Sequence, residues 1–80
     1  MYKIYKDTTA CSSFKYIIVD CYSDQYFLAT LTKFDGIVLK YQDRVRNCLE
    51  KGTPYAYLGE CKYRKDILLT LPMLDLLADI

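Results

Sequence analysis

The run FKYIIVDCY at residues 14–22 constrains this chain more than any other feature. It is dense in β-branched and aromatic side chains, which pack well on a pleated surface. Alternate side chains of a strand point to opposite faces. One face therefore carries Ile17, Val19 and Cys21, and the other Phe14, Tyr16 and Ile18. Both are apolar in part, so the strand belongs inside a sheet with a face under a helix. Ser23-Asp24 is a short polar break, and residues 25–33 return as a second strand. Two such runs around a tight polar break predict a hairpin.

The rest of the chain is read around that hairpin. Residues 2–6 predict a short strand and residues 8–13, small and polar, a loop. Residues 36–51 admit two readings. Asp35-Gly36 suits a type I′ hairpin turn. Against it, Ile37, Val38, Tyr41, Val45, Cys48 and Leu49 recur at helical spacing over several turns. Asp35 would cap such a helix and Gly52 would close it at C′, and the sustained periodicity favours the helix. YAYLGEC at 55–61 predicts a strand, residues 62–65 a basic turn, and DILLTL at 66–71 a strand returning as a second hairpin. Pro72 then opens a last helix with Met73, Leu76, Leu77 and Ile80 on one face, since proline fits a first helical turn. The expected architecture is α+β: residues 1–80 as one domain, a single small antiparallel sheet of four to five strands, one helix packed on a face, and a short C-terminal helix, in the order β-β-β-α-β-β-α.

A chain of 80 residues buries only roughly 60% of the surface its unfolded form exposes. So thin a core is often helped by a metal, disulfides or self-association. Cys11, Cys21, Cys48 and Cys61 contain no CxxC pair, and with no histidine to complete a mixed site a structural metal is not expected. No early apolar run follows a basic start, and no stretch approaches the roughly 18 apolar residues that span a bilayer. The expectation is a soluble cytoplasmic protein with free thiols, Cys21 and Cys48 serving as small apolar core residues, and no membrane contact.

Nine tyrosines and no histidine set the chemistry. Histidine titrates near neutral pH and is the commonest metal ligand. Without it, Ser12, Ser13 and Ser23 have no imidazole to activate them. The carboxylate pairs Asp20/Asp24, Asp43/Glu50 and Asp75/Asp79 read as turn and surface acids, since paired-acid chemistry needs a deep cleft. Gly36, Gly52 and Gly59 form no phosphate loop. No enzyme activity and no cofactor are expected. Tyrosine, by contrast, buries a ring and keeps a polar tip, and is enriched at interfaces. Tyr16, Tyr26, Tyr41 and Tyr57 stand in apolar patterns and read as core or half-buried residues. Tyr2, Tyr5, Tyr22, Tyr55 and Tyr63 fall at strand ends or in turns.

Charge is balanced overall at +1 but not locally. Residues 40–66 hold seven cations (Lys40, Arg44, Arg46, Lys51, Lys62, Arg64, Lys65) against four acids (Asp43, Glu50, Glu60, Asp66), an excess of +3. On the expected helix Lys40, Arg44, Asn47 and Lys51 make one stripe, and Lys62, Arg64 and Lys65 surround Tyr63 in the basic turn. Lys40, Arg44, Lys51, Lys62, Tyr63, Arg64 and Lys65 are therefore the candidate partner-binding residues. In its size, its tyrosine- and lysine-rich composition and its want of catalytic signatures, the whole chain resembles small phage-encoded and mobile-element proteins. That resemblance implies a stoichiometric inhibitor of host machinery, CRISPR effectors and other defence enzymes included. The residues agree: they predict a protein that occludes a larger protein or complex by shape and surface. The alternative is a nucleic-acid-binding module on the same basic residues, with Tyr63 stacking on a base. The apolar C-terminal segment and an exposed strand edge also favour a homodimer.

Overall fold

The computed structural model describes residues 1–38, 42–52 and 54–78. Strands β1 (Tyr2–Asp7), β2 (Tyr16–Asp20), β3 (Gln25–Ala29), β4 (Phe34–Val38) and β5 (Tyr55–Cys61) form one antiparallel sheet, ordered β4-β3-β2-β1-β5. Helix α1 (Gln42–Lys51) separates β4 from β5, and α2 (Ile67–Leu77) follows a single 3₁₀ turn at Arg64–Asp66. One antiparallel sheet with two helices is the α+β arrangement that the sequence predicts. The element order differs, as β-β-β-β-α-β-α.

The central strand explains the layers. Tyr16, Ile17, Ile18 and Val19 of β2 are all buried. Tyr16 and Ile18 join Ile4, Phe27, Ala29 and Cys61 in a core closed by Ile67 and Leu71 of α2. Ile17, Val19 and Tyr26 form a second core on the opposite face, under Val45 and Leu49 of α1. Register enforces this division: Ile18 pairs with Ile4 and Phe27, while Ile17 pairs with Tyr5 and Leu28. A helix thus covers each face, where the sequence reading placed one.

Local chemistry accounts for the remaining corrections. The expected strand 25–33 stops at Ala29 because Thr30 makes a turn. Its hydroxyl accepts the N–H groups of Thr32 (3.2 Å) and Lys33 (2.8 Å), and its own N–H donates to the Lys33 carbonyl (2.8 Å). The chain then returns as β4, with Phe34 against Phe27 at 5.4 Å between ring centroids. Asp35 and Gly36 therefore lie in a strand; they neither cap a helix nor form a hairpin turn. Helix α1 keeps Gln42–Lys51 of the expected helix 36–51, of which residues 39–41 lie outside the described ones. Its end is as predicted: Gly52 has φ +76° and donates to the Cys48 carbonyl at 3.0 Å. Asp20 organises the β2–β3 turn by accepting the N–H groups of Tyr22 and Ser23, and Asp24 takes the left-handed conformation (φ +57°).

β5 has the predicted bounds but pairs with β1, not with residues 66–71. Those residues are helical, and α2 runs straight through Pro72, which is an interior residue and not the first turn. A short leucine-rich run is ambiguous between strand and helix by periodicity alone, and docking on the sheet decides it. A bulge shifts the β1–β5 register, with Ile4 opposite Gly59 but Tyr5 opposite Tyr57. That extra residue lets both Leu58 and Cys61 pack on the α2 side. Of the thiols, all four unpaired, Cys61 is the buried one and Cys21 is exposed, the reverse of the expected core role for Cys21; Cys48 is half-buried.

Candidate protein-binding surface

Beside α1 the sheet is only partly covered, and a groove of about 310 Å³ remains. Lys3 and Tyr5 of β1, Tyr26 of β3, Cys21 of the turn, and Arg46 and Glu50 of α1 line it. Strand alternation puts Lys3 and Tyr5 on this face, and the β5 bulge brings Tyr57 beside them. The Tyr5 and Tyr57 rings stack at 5.3 Å, tilted by 60°. Tyr57, read from the sequence as core or half-buried, is 52% exposed and stands next to the groove against Tyr5.

Arg46 closes one end of the groove. Its Nε donates to the Tyr26 hydroxyl (3.1 Å), while its terminal nitrogens reach Asp24 (2.5 Å) and Asp43 (3.1 Å). The guanidinium also lies 5.6 Å from the Tyr26 ring centre. One arginine thus ties α1 to the β2–β3 turn and fixes the wall. The hydrogen bond that it donates to Tyr26, with the charge of Asp24, raises the Arg46 pKa further.

The phenols of Tyr5, Tyr55 and Tyr57 are not activated. Burial pushes Tyr5 above its ordinary 10.0, against the opposing charge of Lys3. Burial and Glu60 raise Tyr57, and burial and Asp7 raise Tyr55. The groove offers neutral hydroxyls and rings between charges of both signs. A tyrosine nucleophile would need its pKa lowered, and these are raised.

The sequence-predicted residues are distributed differently. Lys40 lies outside the described residues, as does Tyr41. Arg44 and Lys51 are exposed on α1, on the groove side of the sheet. Lys62, Tyr63, Arg64 and Lys65 precede α2 on the other side. The two halves of the predicted basic patch therefore do not meet. Within the turn, Lys62 and Lys65 stand 5.4 and 5.6 Å from the Tyr63 ring centre, and Arg64 lies over Phe34 at 4.7 Å. Lys3, Tyr5, Arg46 and Tyr57 are not among the candidate binding residues read from the sequence. The alternation of Lys3 with Tyr5 and of Tyr55 with Tyr57 was visible, but the β1–β5 pairing that joins them was not.

The remaining polar groups serve the fold. Ser12 accepts the Phe14 N–H, and Ser23 bonds Gln25. Asp75 lies 2.9 Å from Lys6. Burial penalises its carboxylate, but Lys6 and the Tyr16 hydroxyl outweigh that and hold it below 3.8. Burial, with the Asp75 carboxylate nearby, pushes Tyr16 up to about 12. A second cleft, about 490 Å³, opens between the loops around Phe14 and Leu31, flanked by Lys15 and Lys33. Among the described residues no group of three or more metal-ligating side chains converges, and no helix is long and apolar enough to cross a membrane.

Compared with protein-family models, with curated proteins and with solved structures, the chain matches none of them. Fold and surface still define a class. It is a small α+β domain with a helix on each face of its sheet, a tyrosine groove on one side and an exposed apolar helix on the other.

Proposed function

We propose that this protein is a non-catalytic binding module that inhibits or modulates a larger protein or complex by covering part of its surface. The observation that carries the reading is the groove. Stacked Tyr5 and Tyr57 and the buried ring of Tyr26 are flanked by Lys3 and Arg46 on one hand and Asp24 and Glu50 on the other. Rigid aromatic side chains with polar tips are the usual anchors of protein interfaces. Mixed charge at the rim suits a protein surface, whereas phosphate would be repelled by Asp24 and Glu50. Arg44 and Lys51 extend the contact along α1. Together with the resemblance to small mobile-element inhibitors, this supports a counter-defence role by steric occlusion in the cytoplasm of a host cell.

The nucleic-acid reading rests on Lys62, Arg64 and Lys65 around Tyr63. Two lysines already flank that ring, and Arg64 is engaged with Phe27 and Phe34. Affinity capture from a host lysate tests the proposal. A protein should be retained in stoichiometric amount, and Tyr57→Ala combined with Lys3→Glu should release it. Retention unchanged by those substitutions, or recovery of nucleic acid alone with steep loss on adding salt, would refute it.

A further inference from the structure

Within α2 the only polar side chains are Thr70 and Asp75, and both turn inward. Thr70 Oγ1 is 3.8 Å from Cys61 Sγ, and Asp75 Oδ1 is 2.9 Å from Lys6 Nζ. The outward side consists of Leu68, Leu69, Pro72, Met73, Leu76 and Leu77, with Leu69 71%, Leu76 85% and Leu77 78% exposed. A surface helix of a globular protein does the reverse, and a helix apolar all round has protein on both sides. The sheet covers one side of α2. We propose that a second copy of this chain covers the other, the two α2 helices packing antiparallel across a two-fold axis.

Two observations select the second copy. The first is charge. Helix α2 has no acid in its first turn and no base in its last, and it is entered through Lys62, Arg64 and Lys65. Asp66 at its N-cap makes no side-chain capping bond. Cations therefore outnumber the one acid, Asp66, at the positive end of the helix dipole, and none stands at the negative end. Antiparallel pairing sets each basic turn beside the C-terminal end of the other helix and corrects both ends at once; parallel pairing joins like ends. The second is area. The exposed apolar side chains of α2 amount to something on the order of 500 Å² per copy, the scale at which a surface patch marks an interaction site. Two such faces closed on each other reach the roughly 1,000 Å² that a specific interface has to clear. The geometry is isologous, each copy offering the same patch. It leaves the tyrosine groove free, so it stands or falls separately from the proposed function.

Sedimentation equilibrium of the purified chain is the test. The mass should approach twice 9.4 kDa at high concentration and fall toward one chain on dilution. Leu76→Lys should leave the circular dichroism unchanged, because that side chain is exposed, and should weaken association at least tenfold. Leu77→Glu provides the same reading should Leu76→Lys disturb the fold. Combining Leu69→Lys with Leu76→Glu in one chain should restore part of the dimer, since antiparallel packing brings the opposite charges together. A monomeric mass throughout would overturn the proposal. So would dimerisation undiminished in both single variants, or a monomer that instead floats with phosphatidylserine vesicles.

Discussion

Replacing Gly59 by alanine probes how closely α2 lies on the sheet. A β-carbon built on Gly59 comes 2.8 Å from Leu74 Cδ2 and 2.9 Å from Cδ1, closer than real side chains approach. The backbone there has φ +155°, a conformation that side-chain-bearing residues rarely adopt. Overpacking of this kind costs about 1–3 kcal/mol and an unfavourable φ about 1 more. The reduced freedom of the unfolded chain returns up to about 1 kcal/mol. The expected loss is thus about 2–3 kcal/mol, a fall of roughly 10–20 °C in melting temperature for a domain of this size. Gly52 is the internal control. It also has positive φ, +76°, but its β-carbon would meet nothing within 4 Å, so Gly52→Ala should cost about 1 kcal/mol. Urea unfolding at one fixed chain concentration measures both, because any self-association makes the midpoint concentration-dependent. Leu74→Ala then isolates the contact: on that background the clash is gone, and Gly59→Ala should cost no more than Gly52→Ala does. Equal costs for Gly59→Ala in both backgrounds would refute the packing argument.

Three further outcomes follow from the same geometry. Pro72 lies inside α2, exposed, where it removes a hydrogen bond and crowds the preceding turn; Pro72→Ala should raise stability by about 1–2 kcal/mol after allowing for the freer unfolded chain, read from the urea midpoint. The Lys6–Asp75–Tyr16 cluster makes stability fall at both pH extremes. Asp75 is held below its ordinary 3.8, so its contribution is present above that value and fades as pH drops through the folded pKa; Tyr16 is raised from 10.0 to about 12, so its contribution is complete below pH 10 and is lost as pH rises toward 12. Titration of the unfolding midpoint, with phenolate absorbance for Tyr16, checks both, and Asp75→Asn should remove the acid limb. Finally, a thiol reagent should modify Cys11 and Cys21 in the folded protein but reach buried Cys61 only in denaturant, which timed mass spectrometry would show.

How far the fold is legible in the sequence depends on whether local chemistry or tertiary docking decided each element. The hairpin around residues 14–29 is legible because β-branched density and a polar break both act locally. The same holds for β5 and for Gly52, whose positive φ needs no tertiary context. Thr30 hid a turn because it builds one with a hydroxyl, in a stretch lacking Gly, Pro, Asn or Asp. The spacing of Ile37 and Val38 matched a helix although those residues complete a strand. Residues 67–71 are apolar apart from Thr70, so neither period 2 nor period 3.6 stands out, and the waiting face of Ile4, Ile18 and Phe27 makes them helical. The groove was hidden for another reason. It joins β1 to β5 across more than fifty residues, through a register set by a bulge, and no one-dimensional pattern encodes that distance.

The two helices make a natural comparison, because they cover opposite faces of one sheet under the same constraint. Residues 14–22 are apolar in part on both sides, so each face needs a cover, and the two α-helices among the described residues supply them. Helix α1 meets that need as an isolated domain should: Val45 and Leu49 face the core, while Asp43, Arg44, Asn47, Glu50 and Lys51 face outward. Helix α2 covers its face equally well but keeps its polar side chains inside and its leucines outside. Nothing in the packing of α2 on the sheet requires Leu69, Leu76 or Leu77; polar side chains would fit those exposed positions as well. Their cost in solubility is offset only if the outer side is itself an interior in the working assembly. A dimer closed through α2 would carry its two tyrosine grooves on opposite outer faces. Each dimer would then engage two partner molecules, or two sites on one complex, with the avidity that linked sites confer. Captured complexes should accordingly hold equal numbers of this chain and of partner sites, and Leu76→Lys should weaken retention on a multivalent partner without weakening binding to a single site.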